Sequence, residues 1–291
     1  MLALLIIAYL LPFFVIQFPV GNIDTKFLAF PLGEVMGFAL FAILWVLHSE
    51  RGESKWIVRL RSPQLACLLL ALVAVFCALG GSIPRLSDFS TTWPFVALLL
   101  ALTANLFLAI LHRAKNFTMK RDGAFMAVHM GLLLALFSGM AGAGETEELR
   151  VIVQRDDDTI VGADRSGLLE PLGYALRMEN FEIERNPADG SPVQYRTGLL
   201  MNGRSISLSV NHPYSVNLGE DIYLTHYDMD NRYGDVRYCM LTVVRQPWKY
   251  PMLTGILLLL AGVVWYMEKL NGKVENGRHG EKQHSGKEVV E

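Results

Sequence analysis

Residues 124–143 read AFMAVHMGLLLALFSGMAGA, twenty residues with one titratable side chain, His129. A bilayer-spanning helix needs about 20 predominantly apolar residues, so the run is long enough to cross. An ionisable group at that depth is costly and tends to be absent or to have a task. The fold follows from whether the rest of the chain repeats this pattern.

It does. Hydrophobic residues make up 52% of the 291, and charged residues 19%. The apolar residues gather in six runs, roughly 2–20, 32–48, 64–82, 93–111, 124–143 and 251–268. This predicts a polytopic α-helical membrane protein with about six transmembrane helices. The first run lacks a basic start and an A-x-A site and carries Pro12 and Pro19, so it reads as a retained helix and not a cleaved signal.

Loop charge sets the orientation. Segment 48–63 holds Arg51, Lys55, Arg59 and Arg61, and segment 112–123 holds Arg113, Lys115, Lys120 and Arg121. The alternate loops hold only Lys26 and Arg85. The positive-inside bias predicts both termini in the cytoplasm and residues 144–247 outside.

Residues 144–247 change period. Runs 149–154, 174–184, 194–201, 204–210, 221–227 and 236–244 alternate or are rich in β-formers. Asn202-Gly203 falls between two of them, and this dipeptide suits both positive-φ positions of a type I′ turn, which predicts a hairpin over 194–210. Asp156–Asp158 and Pro187–Gly190 read as turns. The expected organisation is a five-helix region over 1–143, an extracytoplasmic antiparallel β domain over 144–247 inserted between helices five and six, a last helix over 248–268, and a disordered cytoplasmic tail over 269–291.

The β region holds ten Arg and Lys against seventeen Asp and Glu, a net of −7, while the remainder carries +5. An acidic outer domain argues against nucleic acid as a partner, since phosphate binding needs a basic face. Cys67, Cys77 and Cys239 form no C-x-x-C and read as buried hydrophobes. His212, before a proline, and His226, in a strand pattern, have no convergent partners and read as structural. Glu34 sits in the first turn of helix two, where a carboxylate suits the helix dipole. His48 and His112 fall at cytoplasmic helix ends beside Arg51 and Arg113 and read as interfacial, as does Gln17.

Helix five carries a second pattern. Ala127, Gly131, Ala135, Gly139 and Ala143 recur every four residues, a seam along which another helix can approach closely. His129 lies two positions from Ala127 and from Gly131, so it points about 200° away from the seam. It lies about 8 Å along the helix from residue 124, in the cytoplasmic half. Two readings stand: an axial haem ligand, or a hydrogen bond from the imidazole to a Ser, a Thr or a backbone carbonyl.

Several stretches together resemble the ResB-like proteins of cytochrome c biogenesis (System II). They are Thr92-Trp-Pro-Phe95; Phe125, His129 and Gly131 as Phe-x-x-x-His-x-Gly, closing on Ser138-Gly139; Phe181–Glu184; Val193–Thr197; Val210-Asn-His-Pro213 with Gly219 and Ile222-Tyr223; and Leu241–Pro247 before Gly255. The resemblance spans about 93–268. It implies haem b in transit, shared with a tryptophan-rich CcsA/ResC-type partner, and presentation to apocytochrome c outside a bacterial inner membrane. It implies His129 as the axial ligand to haem iron, and a non-catalytic or co-catalytic subunit of a holocytochrome c synthase (haem lyase), with no catalytic residue assigned. The five tryptophans are scattered, so the partner's tryptophan-rich segment is absent here. The competing expectation is a membrane-anchored sensor or assembly scaffold whose β domain binds a ligand or protein and which holds no cofactor.

Overall fold

The computed structural model describes residues 2–83, 88–228 and 236–285. The chain divides into two compact units, Met1–Gly144 with Pro251–Glu291, and Glu145–Tyr250. Arg85, counted above among the loop cations, lies outside the described residues.

In the helical unit each of the six apolar runs is a helix: α1 Leu2–Val20, α2 Leu32–Arg51, α4 Pro63–Ser82, α5 Trp93–Ala114, α6 Met119–Gly142 and α7 Lys249–Ser285. A short seventh helix, α3 Lys55–Leu60, lies in the basic segment 48–63. Ser54 opens α3 by accepting from the Ile57 N–H, and Ser62 opens α4 by accepting from the Leu65 N–H, with Pro63 at its first position. Counting α3, the β region follows the sixth helix; among the long apolar helices it follows the fifth. Among the described residues, α2, α4, α5, α6 and α7 are long and apolar enough to cross a membrane. α1, Leu2–Val20, is apolar over most of its 19 residues.

Large apolar side chains such as Phe14, Phe18, Val35, Phe38, Leu257 and Leu260 point outward from these helices. Contiguous apolar surface of this kind suits lipid and not water. The helical unit is that of a multi-pass membrane protein. Its central element is α5, with ten buried residues between Pro94 and Ile110. Ile6 and Leu10 of α1 and Leu65 and Leu69 of α4 pack on Ala97, Leu98 and Leu102 of α5. Phe41 of α2 joins Phe107 of α5 and Phe137 of α6, at ring-centroid distances of 4.7 and 5.5 Å.

The small-residue seam on α6 receives α7. A Cβ on Gly131 would meet the backbone of Leu259 and lie 2.7 Å from the Gly255 carbonyl oxygen, and one on Gly255 would lie 2.6 Å from the Ala135 nitrogen. One on Gly262 would lie 2.6 Å from the Val128 nitrogen and 2.9 Å from Ala127. The two backbones touch because neither carries side chains there. At the seam's end, Gly139 has open space beside it.

One expectation is corrected. α7 does not stop near residue 268: its backbone is helical to Ser285, through most of the stretch read as a disordered tail. No proline interrupts it after Pro251, so nothing in the sequence forces the helix to end at the last apolar turn. Residues 286–291 lie outside the described residues.

The second unit is one eight-stranded antiparallel sheet: β1 Glu147–Gln154, β2 Thr159–Ala163, β3 Leu169–Arg185, β4 Pro192–Met201, β5 Arg204–Ser209, β6 Tyr214–Asn217, β7 Glu220–Tyr227 and β8 Tyr238–Arg245. The order across the sheet is β5-β4-β3-β2-β1-β8-β7-β6, with β1 and β8 in register from Glu147 opposite Arg245 to Gln154 opposite Tyr238. The expected hairpin is β4–β5, and Asn202 and Gly203 have φ of 48° and 84°. β2 and β6 are additions to the expected strands. Each is short, at 5 and 4 residues, too brief for alternation to register.

Alternate residues point inward. Leu149, Val151 and Val153 of β1, Leu199 of β4, Ile206 and Leu208 of β5, Ile222 and Leu224 of β7, and Cys239, Leu241 and Val243 of β8 share one core. That core draws the edge strands β5 and β6 toward each other, and a bridge between Ser209 and His212 ties them. Asp221 closes the base of β7. It accepts from Ser215 Oγ at 2.6 Å and pairs with Lys249 Nζ at 2.5 Å.

Candidate functional site

His129 sits in the third turn of α6, and the start of that helix is held by one carboxylate. Asp122 is fully buried and accepts from the Thr118 N–H at 3.0 Å, from Arg113 Nε at 2.6 Å and from Arg121 Nε at 3.0 Å. The clamp joins the end of α5 to the start of α6 and fixes two arginines of the basic segment. The Arg113 guanidinium then lies over the Phe125 ring, 5.4 Å from its centre. His129 stacks on Phe125, with ring centres 3.7 Å apart and planes 25° from parallel. Buried carboxylate, guanidinium, phenyl ring and imidazole thus follow one another from the basic end of the helix toward its middle.

The same four-residue spacing supplies a hydrogen bond. His129 Nδ1 is 2.8 Å from the Phe125 carbonyl oxygen. A carbonyl only accepts, so Nδ1 carries the proton and donates. In the neutral ring the lone pair is then on Nε2. The imidazole is oriented through one nitrogen and left with a ligating nitrogen at the other, the arrangement usual for a metal-bound histidine. The hydrogen-bond reading of His129 therefore holds within its own helix, through Nδ1, and leaves Nε2 for the ligand reading. The Phe-x-x-x-His-x-Gly pattern gains a physical meaning: ring support and carbonyl from Phe125, and at Gly131 the space α7 occupies.

The donor set fits an axial ligand to haem iron, an imidazole nitrogen with its second nitrogen fixed by a carbonyl. It supplies one ligand. Among the described residues no three His, Cys, Asp or Glu side chains converge as a metal site.

The other candidate residues fall elsewhere. Glu34 is buried in the first turn of α2, but neither carboxylate oxygen has a hydrogen-bond partner, so it does not cap the helix by hydrogen bonding. His48, read as interfacial, is instead 3% exposed, with its ring centre 6.2 Å from that of exposed His112. Gln17 joins two helix ends: its Oε1 accepts from the Trp93 N–H at 2.9 Å. His212 forms the bridge to Ser209, and His226 is exposed on β7 opposite Met240. Cys67 and Cys77 are exposed on the helical unit, contrary to expectation; only Cys239 is buried. Asp122 was not singled out in the sequence, and Arg113 and Phe125 entered only as a loop cation and as part of the family pattern. The signals available were the lone acidic residue within a basic segment and the aromatic ring one turn before the histidine.

The family model of the ResB-like family matches residues 117–237, from the loop before α6 through β7. Over these residues the chain is similar to that family. The matched stretch contains Asp122, Phe125, His129 and seven of the eight strands, and it is narrower than the resemblance over 93–268. Comparison with curated proteins gives no match. Among solved structures, the chain is similar to a cytochrome c haem lyase, CcmF, at 14% identity and a TM-score of 0.39. The similarity covers 80% of this chain and 44% of that protein, so this chain spans less than half of that protein's length.

Proposed function

We propose that the chain is a haem-handling subunit of a cytochrome c maturation complex in a bacterial inner membrane. His129 Nε2 serves as an axial ligand to haem b in transit, and a CcsA/ResC-type tryptophan-rich partner supplies the opposite ligand. Both termini lie in the cytoplasm, and the β unit faces outward, where it presents apocytochrome c. The chain contributes binding and positioning; bond formation between haem and the cytochrome thiols belongs to the assembled complex.

The observation that carries this reading is the orientation of His129. Its Nδ1–H is committed to the Phe125 carbonyl, inside the segment that matches the ResB-like family. The cluster of cations at one end of the helices supports the orientation, because basic loops are retained in the cytoplasm. The acidic composition of the β unit suits a basic polypeptide partner.

The test is the visible absorption spectrum of the full chain purified in detergent with its partner, for wild type and His129→Ala. The expected result is a Soret band that is diminished or shifted in the variant. An unchanged spectrum, or wild type without haem, overturns the assignment and leaves a cofactor-free scaffold as the better account.

A further inference from the structure

The end of α5, the loop behind it and the start of α6 form a basic cavity that the haem reading leaves unused. It measures about 400 Å³ and is lined by His112, Arg113, Lys115, Asn116, Arg121 and one acid, Glu53. Glu53 is engaged by Arg61 at 3.5 Å. Buried Asp122 takes up one further charge, shared between Arg113 Nε and Arg121 Nε. Arg61, Arg113, Lys115 and Arg121 thus stand against Glu53 and Asp122, four cations against two carboxylates, and leave a net charge of +2.

The guanidinium groups are held in place before anything binds. Asp122 engages Arg113 only through Nε, and the Phe125 ring lies 5.4 Å from the same guanidinium. Both Nη groups of Arg113 are left without a hydrogen bond among the described residues. Arg121 is fixed by Asp122 and by the Asn116 carbonyl, which accepts from its Nη2. A fixed guanidinium fork loses less entropy on binding than a free one, and its geometry matches the oxygens of a phosphate. Lys115 lines the same cavity, exposed and without an ion pair among the described residues, and adds a mobile ammonium.

The loop also carries apolar groups. Phe117 and Met119 lie between Lys115 and Lys120 and are 46% and 60% exposed. Large apolar side chains beside cations at the end of a membrane helix suit the bilayer interface, where the apolar group enters the acyl boundary and the cation meets a headgroup. A dissolved anion makes no use of them.

We propose that this cavity binds the phosphate of an anionic phospholipid. Arg113, Lys115 and Arg121 donate to the phosphate oxygens, and Phe117 and Met119 lie among the acyl chains. A free phosphate ion shares the anionic chemistry; the apolar pair selects the lipid. The uncompensated charge selects an anionic headgroup over a zwitterionic one. The site requires neither haem nor a partner chain, so it stands or falls apart from the haem reading.

The experiment is thermal unfolding of the full chain in detergent, titrated with phosphatidylglycerol, phosphatidylcholine or inorganic phosphate. A ligand that binds only the folded chain raises the midpoint. The proteins are wild type, Lys115→Gln, Lys120→Gln and Phe117→Ser. Lys120 belongs to the same basic segment but does not line the cavity, so its variant removes the same charge from outside the site. The expected result is a rise with phosphatidylglycerol alone. Its apparent affinity should fall about fivefold in Lys115→Gln, fall in Phe117→Ser and hold in Lys120→Gln. Equal losses in the two lysine variants would mean diffuse attraction and overturn the proposal. A rise with inorganic phosphate that Phe117→Ser leaves intact would make this a site for the free ion and overturn the lipid. No rise with phosphatidylglycerol, or an equal rise with phosphatidylcholine, overturns it as well.

Discussion

His129 and Phe125 hold one another twice: the imidazole Nδ1–H donates to the Phe125 carbonyl at 2.8 Å, and the two rings stack at 3.7 Å. The first contact comes from the backbone and survives any substitution at 125; the second comes from the side chain. Phe125→Leu separates them. Loss of an aromatic pair costs about 0.5–1.5 kcal/mol, so on the proposed ligation haem binding at His129 is expected to weaken roughly three- to tenfold with the helix intact. Phe125→Tyr should keep the affinity. Equal affinities for Leu and wild type in a haem titration read at the Soret band would show that the stack plays no part.

The seam between α6 and α7 gives a sharper contrast. Gly131→Val places side-chain carbons on the α7 backbone, while Gly139→Ala enters open space. The first is expected to destabilise the helical unit by about 1–3 kcal/mol, and the second to change stability by less than about 0.5 kcal/mol. Thermal unfolding of the two variants in the same detergent decides the matter; similar midpoints would mean that α7 does not seat on Gly131.

These two relationships differ in how far the sequence disclosed them. The small residues from Ala127 to Ala143 announce a close helix contact by spacing alone, but spacing does not say which helix fills it, because every other apolar run is a candidate. The Asn202-Gly203 turn was legible because its conformation is dictated locally. β2 and β6 were not, since five or four residues give too little periodicity. His129 stood out as the polar exception in an apolar run. The Asp122–Arg113–Phe125 chain that supports it joins residues on two helices, and only the folded chain brings these together. His48 and His112 are 64 positions apart and looked like separate interfacial residues; their pairing is a property of how α2 lies against α5.

The type I′ turn can be tested at Gly203, whose φ of 84° disfavours any side chain. Gly203→Ala is expected to cost about 1–2 kcal/mol in the β unit, with the β4–β5 pairing as the element that loosens. Amide exchange should quicken at Leu199–Met201 and at Arg204–Ile206 before it quickens at β1. Uniform quickening, or none, would contradict a turn that sets this register.

Cys239 lies fully buried on β8, in the core of the sheet, and burial pushes its thiol up to about 11. The nucleophile is the thiolate, so at pH 8 the folded β unit should resist alkylation at this position. Mass-spectrometric mapping after iodoacetamide should find Cys239 labelled only when denaturant is added. Labelling of the folded protein at an unfolded-like rate would place the thiol outside the core.

Asp221 links pH to the stability of the same sheet. It is 5% exposed, and burial alone would raise its pKa, but hydrogen bonds from Lys249 and Ser215, with the Lys249 charge, more than offset this and hold it below the usual carboxylate value. A carboxylate lowered on folding stabilises the fold above its unfolded pKa of about 3.9 and loses that contribution as pH falls through the folded value. Asp221→Asn removes the charge and leaves Lys249 facing an amide. A fully buried pair broken in this way costs roughly 3–5 kcal/mol, and because the Lys249 side chain is 32% exposed, about 2 kcal/mol is expected here. The deficit should be constant from pH 8 to about pH 5 and shrink below about pH 4, as the wild-type carboxyl takes up its proton and the two proteins become alike. Thermal unfolding of both proteins across that range supplies the measurement. A deficit that persists undiminished to pH 3 would assign the effect to packing around the introduced amide and not to loss of the ion pair.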